Sequence, residues 1–191
     1  MKKLLLLLAV VLVAGCATIS KVERGDQAVA DRLSVNLEGP WNKFEGIAGF
    51  PVPTWTMEGI WVDRLQFYVG IKDGSPLVPD SGPDAKKRPL TFHASMQPHE
   101  VVALFQTLLT RDGSTFSLEK LDPAPFLGGP GMRFEFSLVR KVDDVRLSGF
   151  VYARVQNNEL FALLYQAPRL GFYPRYQPQV EKMAQTARFR S

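Results

Sequence analysis

Residues 132–165 read MRFEFSLVRKVDDVRLSGFVYARVQNNELFALLY, and the fold is decided there. Met132, Phe134, Phe136 and Leu138 alternate with Arg133, Glu135 and Ser137, the period-two pattern of a half-buried strand. Lys141 to Asp144 turns the chain. Val145, Leu147, Gly149, Val151, Ala153 and Val155 then make one face of a long second strand. Asn157-Asn158 is a tight-turn dipeptide. Leu160 to Tyr165 is apolar on both faces, as a covered central strand must be. Three strands joined by short turns form an antiparallel meander.

Two amphipathic helices flank that meander. On the N-terminal side, Val101, Leu104, Phe105 and Leu108 fall at helical spacing within residues 98–112, and Val102 and Leu109 widen the stripe. Pro98 suits the first helical position, Glu100 the positive end of the helix dipole, and Gly113 the stop. On the C-terminal side, Tyr176, Val180, Met183, Ala184 and Ala187 line one face of a closing helix. Further strands are expected at Leu33-Val35-Leu37, at Leu65-Phe67-Val69-Ile71, at Leu90-Thr91-Phe92 and at Phe116-Leu118. Residues 73–89 read as a long exposed loop, and Pro123 to Gly131 as an irregular connection. Residues 41–61, with Trp41, Phe44, Phe50, Trp55 and Trp61 among glycines and prolines, give no clear period. The expected fold class is α+β: an antiparallel sheet meander covered by two amphipathic helices, a layered α/β sandwich.

The ending carries a family resemblance. A strand pair runs into Leu164-Tyr165-Gln166-Ala167-Pro168, and a helix then closes on Thr186-Ala187-Arg188-Phe189. From residue 90 onward this order of elements resembles the family of the PsbP extrinsic photosystem protein and related bacterial lipoproteins. Residues 39–61 depart from it. The resemblance implies a binding or assembly module rather than an enzyme, and it transfers no functional residue.

The N-terminus speaks for location. Lys2 and Lys3 precede an apolar run from Leu4 to Val13, the layout of a secretory leader. That run is shorter than the roughly 20 residues a spanning helix needs. Val13-Ala14-Gly15-Cys16 resembles the lipobox of bacterial lipoproteins, in which the leader is cut before the cysteine and lipid is attached to its thiol. The resemblance implies a leader over 1–15 and lipidation of Cys16. Residues 16–30 are then expected to be a lipidated N-terminus and flexible tether, and residues 31–191 a single α+β domain. Ala17 in place of aspartate points to the outer membrane, with the domain facing the periplasm. Cys16 is the only cysteine, so its lipidation leaves no thiol for disulfides, metal or catalysis.

The formal net charge is +4, and losing Lys2 and Lys3 lowers it by two. No basic stripe suits nucleic acid, and Lys86-Lys87-Arg88 reads as a solubilising loop. His93 and His99 lie at no metal-ligand spacing, so no metal and no cofactor are expected. There is no nucleophile elbow: Asp112-Gly113-Ser114 is a helix stop, Asp143-Asp144 a solvated turn, and Gly128 to Gly131 lacks the lysine of a phosphate cradle.

Two stretches stand out as candidate binding surfaces. One is Trp41 to Trp61. The other is the loop from Ala167 to Tyr176, where Arg169 and Arg175 flank Phe172 and Tyr173. The sequence therefore leads to a non-catalytic, membrane-anchored envelope lipoprotein that binds a protein partner or envelope component through these residues. A carrier or sensor of a small apolar ligand is the alternative, with Phe134, Phe136, Leu147 and Phe161 lining a cavity under the sheet. An unrecognised hydrolase is the third reading.

Overall fold

The computed structural model of the protein describes residues 18–45, 51–79 and 90–190. In chain order its elements begin with strands β1 (Thr18–Val22), β2 (Gly25–Val29), β3 (Leu33–Leu37), β4 (Trp41–Glu45), β5 (Thr54–Thr56) and β6 (Arg64–Lys72). Helix α1 (Pro98–Leu109) follows, then β7 (Thr115–Phe126), β8 (Gly129–Val139), β9 (Arg146–Gln156) and β10 (Glu159–Pro168). Helix α2 (Phe172–Thr186) and the short β11 (Arg188–Phe189) close the chain. The leader, Cys16, Phe50 and Lys86 to Arg88 lie outside the described residues. No helix among the described residues is long and apolar enough to cross a membrane.

The expected meander is the heart of an eight-stranded sheet ordered β1-β4-β5-β6-β10-β9-β8-β7, antiparallel at every pairing. Strand β10 sits between β6 and β9, and Leu160 to Tyr165 are fully buried, as apolar character on both faces requires. Asn157 and Asn158 have φ of 52° and 60°, the left-handed pair of a two-residue hairpin turn. Gly149 is fixed by packing: a Cβ there would lie 2.3 Å from Cζ of Phe136 on the neighbouring strand.

Each face of the sheet has its own core. On one face α1 lays Val101, Val102, Leu104 and Phe105 against Phe134, Phe136, Leu147 and Val151. The ring of Phe105 meets Tyr68 edge-on at 5.2 Å and Phe134 at 5.8 Å. The N-terminus of α1 is capped as its sequence suggests: the Glu100 carboxylate accepts the Gln97 N–H at 2.6 Å. On the other face Val180, Met183 and Ala184 of α2 pack with Trp55, Leu65, Phe67, Phe150 and Tyr165. Leu33, Val35 and Leu37 join that second core from a small sheet ordered β11-β3-β2. The architecture is thus helix, large sheet, then helix with small sheet.

Several expectations need correction. Residues 18–29 are not a flexible tether: they form β1 on the edge of the large sheet and β2 in the small one, and Val29 is buried. The folded unit therefore begins upstream of residue 31. The proline-rich run is no irregular loop either. Strand β7 continues through Pro123 and Pro125, and Leu127 and Gly128, at φ of 52° and 74°, turn directly into β8. Proline is tolerated because β7 is the sheet's outer strand, where one side needs no ladder hydrogen bonds. Among the described residues, Leu90 to Phe92 make a single bridge, Thr91 to Pro76.

Candidate functional site

Four connections crowd the end of the large sheet where β6 starts and β10 stops: residues 57–63, 110–114, 140–145 and 169–171. The first hangs on one carboxylate. Asp63 is fully buried and accepts hydrogen bonds from Thr56 Oγ1 at 2.6 Å, Met57 N at 2.9 Å and Glu58 N at 2.8 Å. Thr56 Oγ1 in turn accepts from Gly59 N at 2.8 Å. Buried carboxyl oxygens are tolerated when donors surround them, and here those donors fix the loop's shape. Trp61 projects from that loop with 68% of its surface exposed, and the Arg64 guanidinium lies 5.9 Å from its ring.

The second and third connections are tied to the first. Arg140 grips Asp143 with Nε at 2.9 Å and Nη2 at 2.6 Å, while its Nη1 donates to the Trp61 carbonyl at 2.7 Å. The guanidinium's hydrogen bonds hold the Asp143 carboxyl below the usual carboxylate range. Asp144 takes a left-handed φ of 55° and donates its N–H to Arg140 O at 2.9 Å. Val142, in the middle of this turn, is 78% exposed. Lys141 N donates to Ser114 Oγ at 3.1 Å, and Ser114 N to Asp112 Oδ1 at 2.9 Å, which ties in the turn after α1. Asp112-Gly113-Ser114 and Asp143-Asp144 are structural turns.

The fourth connection holds the residues singled out in the sequence, and the structure divides them. The loop is shorter than expected. Ala167 and Pro168 end β10, and α2 starts at Phe172 after Gly171, whose φ of 85° turns the chain. Phe172 and Tyr173 point inward from the first helical turn. Tyr173 stacks on Tyr165 at 6.0 Å and meets Phe150 edge-on at 6.5 Å, and burial pushes its phenol up to about 12. Arg175 approaches Glu58 at 3.6 Å, and the Tyr176 hydroxyl also donates to Glu58. Arg169 stays on the surface, its N–H donating to Arg146 O at 2.9 Å. Leu170 is 85% exposed. Of the four candidates, Phe172 and Tyr173 cap the core, Arg175 braces the 57–63 loop, and Arg169 faces outward. Reading the sequence alone missed Leu170 and Val142. Their only signal is a single apolar residue inside a polar turn.

Other polar groups are structural. Under α2, Arg133 donates to Glu181 through Nε at 3.1 Å and lies 5.1 Å from the Phe150 ring, and Tyr152 donates to the same Glu181. His93 is 3.6 Å from Asp73 and 3.2 Å from Thr91 Oγ1. No group of three metal-ligating side chains occurs among the described residues. The four residues expected to line a ligand cavity do not share one. Phe134, Phe136 and Leu147 pack beneath α1, whereas Phe161 lies on the opposite face against Phe189 at 4.9 Å.

No family model matches the chain, and no curated protein does. Among solved structures, that of LpqN, involved in cell envelope biogenesis of Mycobacterium tuberculosis, aligns at a TM-score of 0.37 and 9% identity. That alignment covers 92% of this chain and 86% of the other, and a score so low identifies no common fold. The solution structure of cyanobacterial PsbP (CyanoP) from Synechocystis sp. PCC 6803 aligns at a TM-score of 0.58 and 10% identity, over 93% of this chain and 96% of that one. The resemblance seen from residue 90 onward thus extends across both halves, and the chain has a PsbP-like fold.

Proposed function

We propose that this chain is a non-catalytic binding module of the bacterial envelope. A lipid on Cys16 anchors it to the outer membrane, facing the periplasm, and the loop end of its sheet meets a protein partner or other envelope component. One observation carries the reading: Trp61, Val142 and Leu170, the three most exposed large apolar side chains among the described residues, stand on tied loops at that same end. Exposed apolar groups gathered together mark interaction surfaces, whereas scattered ones need no explanation. Neighbouring polar groups, Asp63, Arg140 and Asp143 among them, are engaged in shaping the loops, which suits binding better than chemistry.

Two experiments test it. Labelling cells with a palmitate analogue should mark the parent chain and leave Cys16→Ser unmarked; label retained by the serine variant refutes the anchor. A photoreactive amino acid at position 170 should give a discrete envelope adduct in cells. The same group at position 106, on the exposed side of α1, should not. Identical patterns from both positions, or no adduct from 170, refute the binding surface.

A further inference from the structure

We infer that the partner met by the loop end is a protein with an acidic surface, recognised by Arg146, Arg169 and Lys141 around the apolar tips of Leu170 and Val142. The inference deepens the proposed function and rests on it. Its basis is charge that the fold leaves uncompensated. Pro168 pairs with Leu147 at the end of the β9–β10 ladder, so Arg169 and Arg146 are the next pair outward, joined by the 2.9 Å bond from Arg169 N to Arg146 O. Like charges directly opposite on a ladder repel. Both side chains are exposed, as is Lys141 on the β8–β9 connection, and none of the three has an ion pair or side-chain hydrogen bond among the described residues.

The nearby carboxylates do not cancel them. Asp143 is taken by Arg140, and Glu58 by Arg175 and Tyr176. Asp112 and Asp144 remain, against the charges of Arg146, Arg169 and Lys141. The fold thus holds together a set of cations that repel one another, with exposed apolar tips between them. An anionic partner would relieve that repulsion while covering the tips. Tryptophan and arginine are the residues that dominate protein interfaces, and loops already tied in place lose little freedom on binding.

The path of the chain separates a protein from a bilayer. Strand β1 runs from Thr18, opposite Glu45, to Val22, opposite Trp41, and Asn42 beside Trp41 pairs with Thr56 at the start of the 57–63 loop. The chain therefore enters β1 heading toward the loop end. With a lipid just upstream on Cys16, the loop end is turned away from the anchoring membrane and toward whatever stands off it.

The test uses the full chain in cells, with a benzophenone amino acid at position 170 as the probe. The adduct should be a protein whose contact segment, mapped by mass spectrometry, is rich in aspartate and glutamate. Arg146→Glu with Arg169→Glu should lower adduct yield at least about tenfold, since unpairing an interfacial charge commonly costs more than that factor. Lys72→Glu, an exposed cation where β6 ends at the opposite end of the sheet, should leave yield unchanged. Lysines placed in the mapped acidic segment should restore the adduct of the double variant. An adduct that survives the double reversal, or one made to phospholipid, overturns this inference and leaves the proposed function standing. No adduct in the parent chain overturns both.

Discussion

Tyr173→Ala measures how the segment after β10 is divided between core and surface. The ring stacks on Tyr165 at 6.0 Å with an interplanar angle of 20° and meets Phe150 edge-on, and it is half-buried under the first turn of α2. Truncating a fully buried aromatic costs about 3–5 kcal/mol, so a half-buried ring should lose about 2 kcal/mol. Of that, roughly 0.5–1.5 kcal/mol belongs to the ring pairs themselves. Leu170, three positions earlier and 85% exposed, should cost under about 0.5 kcal/mol as Leu170→Ala. Tyr173→Phe, which keeps the ring, should match the parent within that same margin of about 0.5 kcal/mol. Urea denaturation followed by tryptophan fluorescence suits the measurement, because Trp41 and Trp55 are buried in the same core. With a slope of about 2 kcal/mol per molar, Tyr173→Ala moves the midpoint down by about 1 M at unchanged slope. A Tyr173→Ala midpoint equal to the parent's, or a Leu170→Ala loss as large as that of Tyr173→Ala, would refute this division.

Leu104→Asp puts an unpaired charge into the buried face of α1 and should cost more than about 4 kcal/mol, whereas Gln106→Asp on the exposed face should cost under about 0.5 kcal/mol; similar losses in urea would reverse the helix's orientation. Residues 17–191 should melt in one cooperative transition, and residues 31–191, lacking β1, β2 and buried Val29, should melt at markedly lower temperature by calorimetry; equal melting temperatures would restore the boundary at 31. Burial raises the phenols of Tyr68, Tyr152, Tyr165, Tyr173 and Tyr176. Free tyrosine ionises near pH ~10, so the unfolded chain loses these protons first. Stability is then full below pH ~10 and falls as pH rises toward the folded values, Tyr173's lying at about 12. Phenolate absorbance should appear together with loss of the folded circular dichroism; a smooth rise near pH 10 while the fold persists would contradict it.

The meander was legible because its side chains report burial with a simple period. Met132 to Leu138 alternate, Leu160 to Tyr165 do not, and both patterns follow from how many faces of the strand are covered. Helix α1 was legible through its apolar stripe: Val101, Leu104 and Phe105 are buried with Val102 beside them, and Leu108 is half-buried at the edge. Residues 25–29 were opaque because β2 buries only Val29 fully, so no alternation shows. Strand β7 was opaque because an outer strand tolerates the prolines that usually mark a loop. Pro174 is tolerated near the start of α2, where the first N–H groups have no helical partner to lose. The candidate surface was half legible: Arg169 and Trp61 drew notice as residue types, but the exposure of Leu170 and Val142 depends on tertiary placement that a turn's sequence does not encode.

The small sheet sets a schedule for folding. Arg188 and Phe189 pair with Ser34 and Leu33, and the Arg188 guanidinium bonds Asp26, 162 positions earlier in the chain. A polypeptide emerging N-terminus first can form the β2–β3 hairpin at once. Leu33, Val35 and Leu37 then wait uncovered until α2 and β11 have been delivered. Contacts so distant in sequence close slowly, and a chain with such an interval presents apolar surface for its duration. If the chain is exported, its N-terminal hairpin is the segment that most needs a holding chaperone, and truncating the last few residues should hurt folding more than their small share of the core suggests.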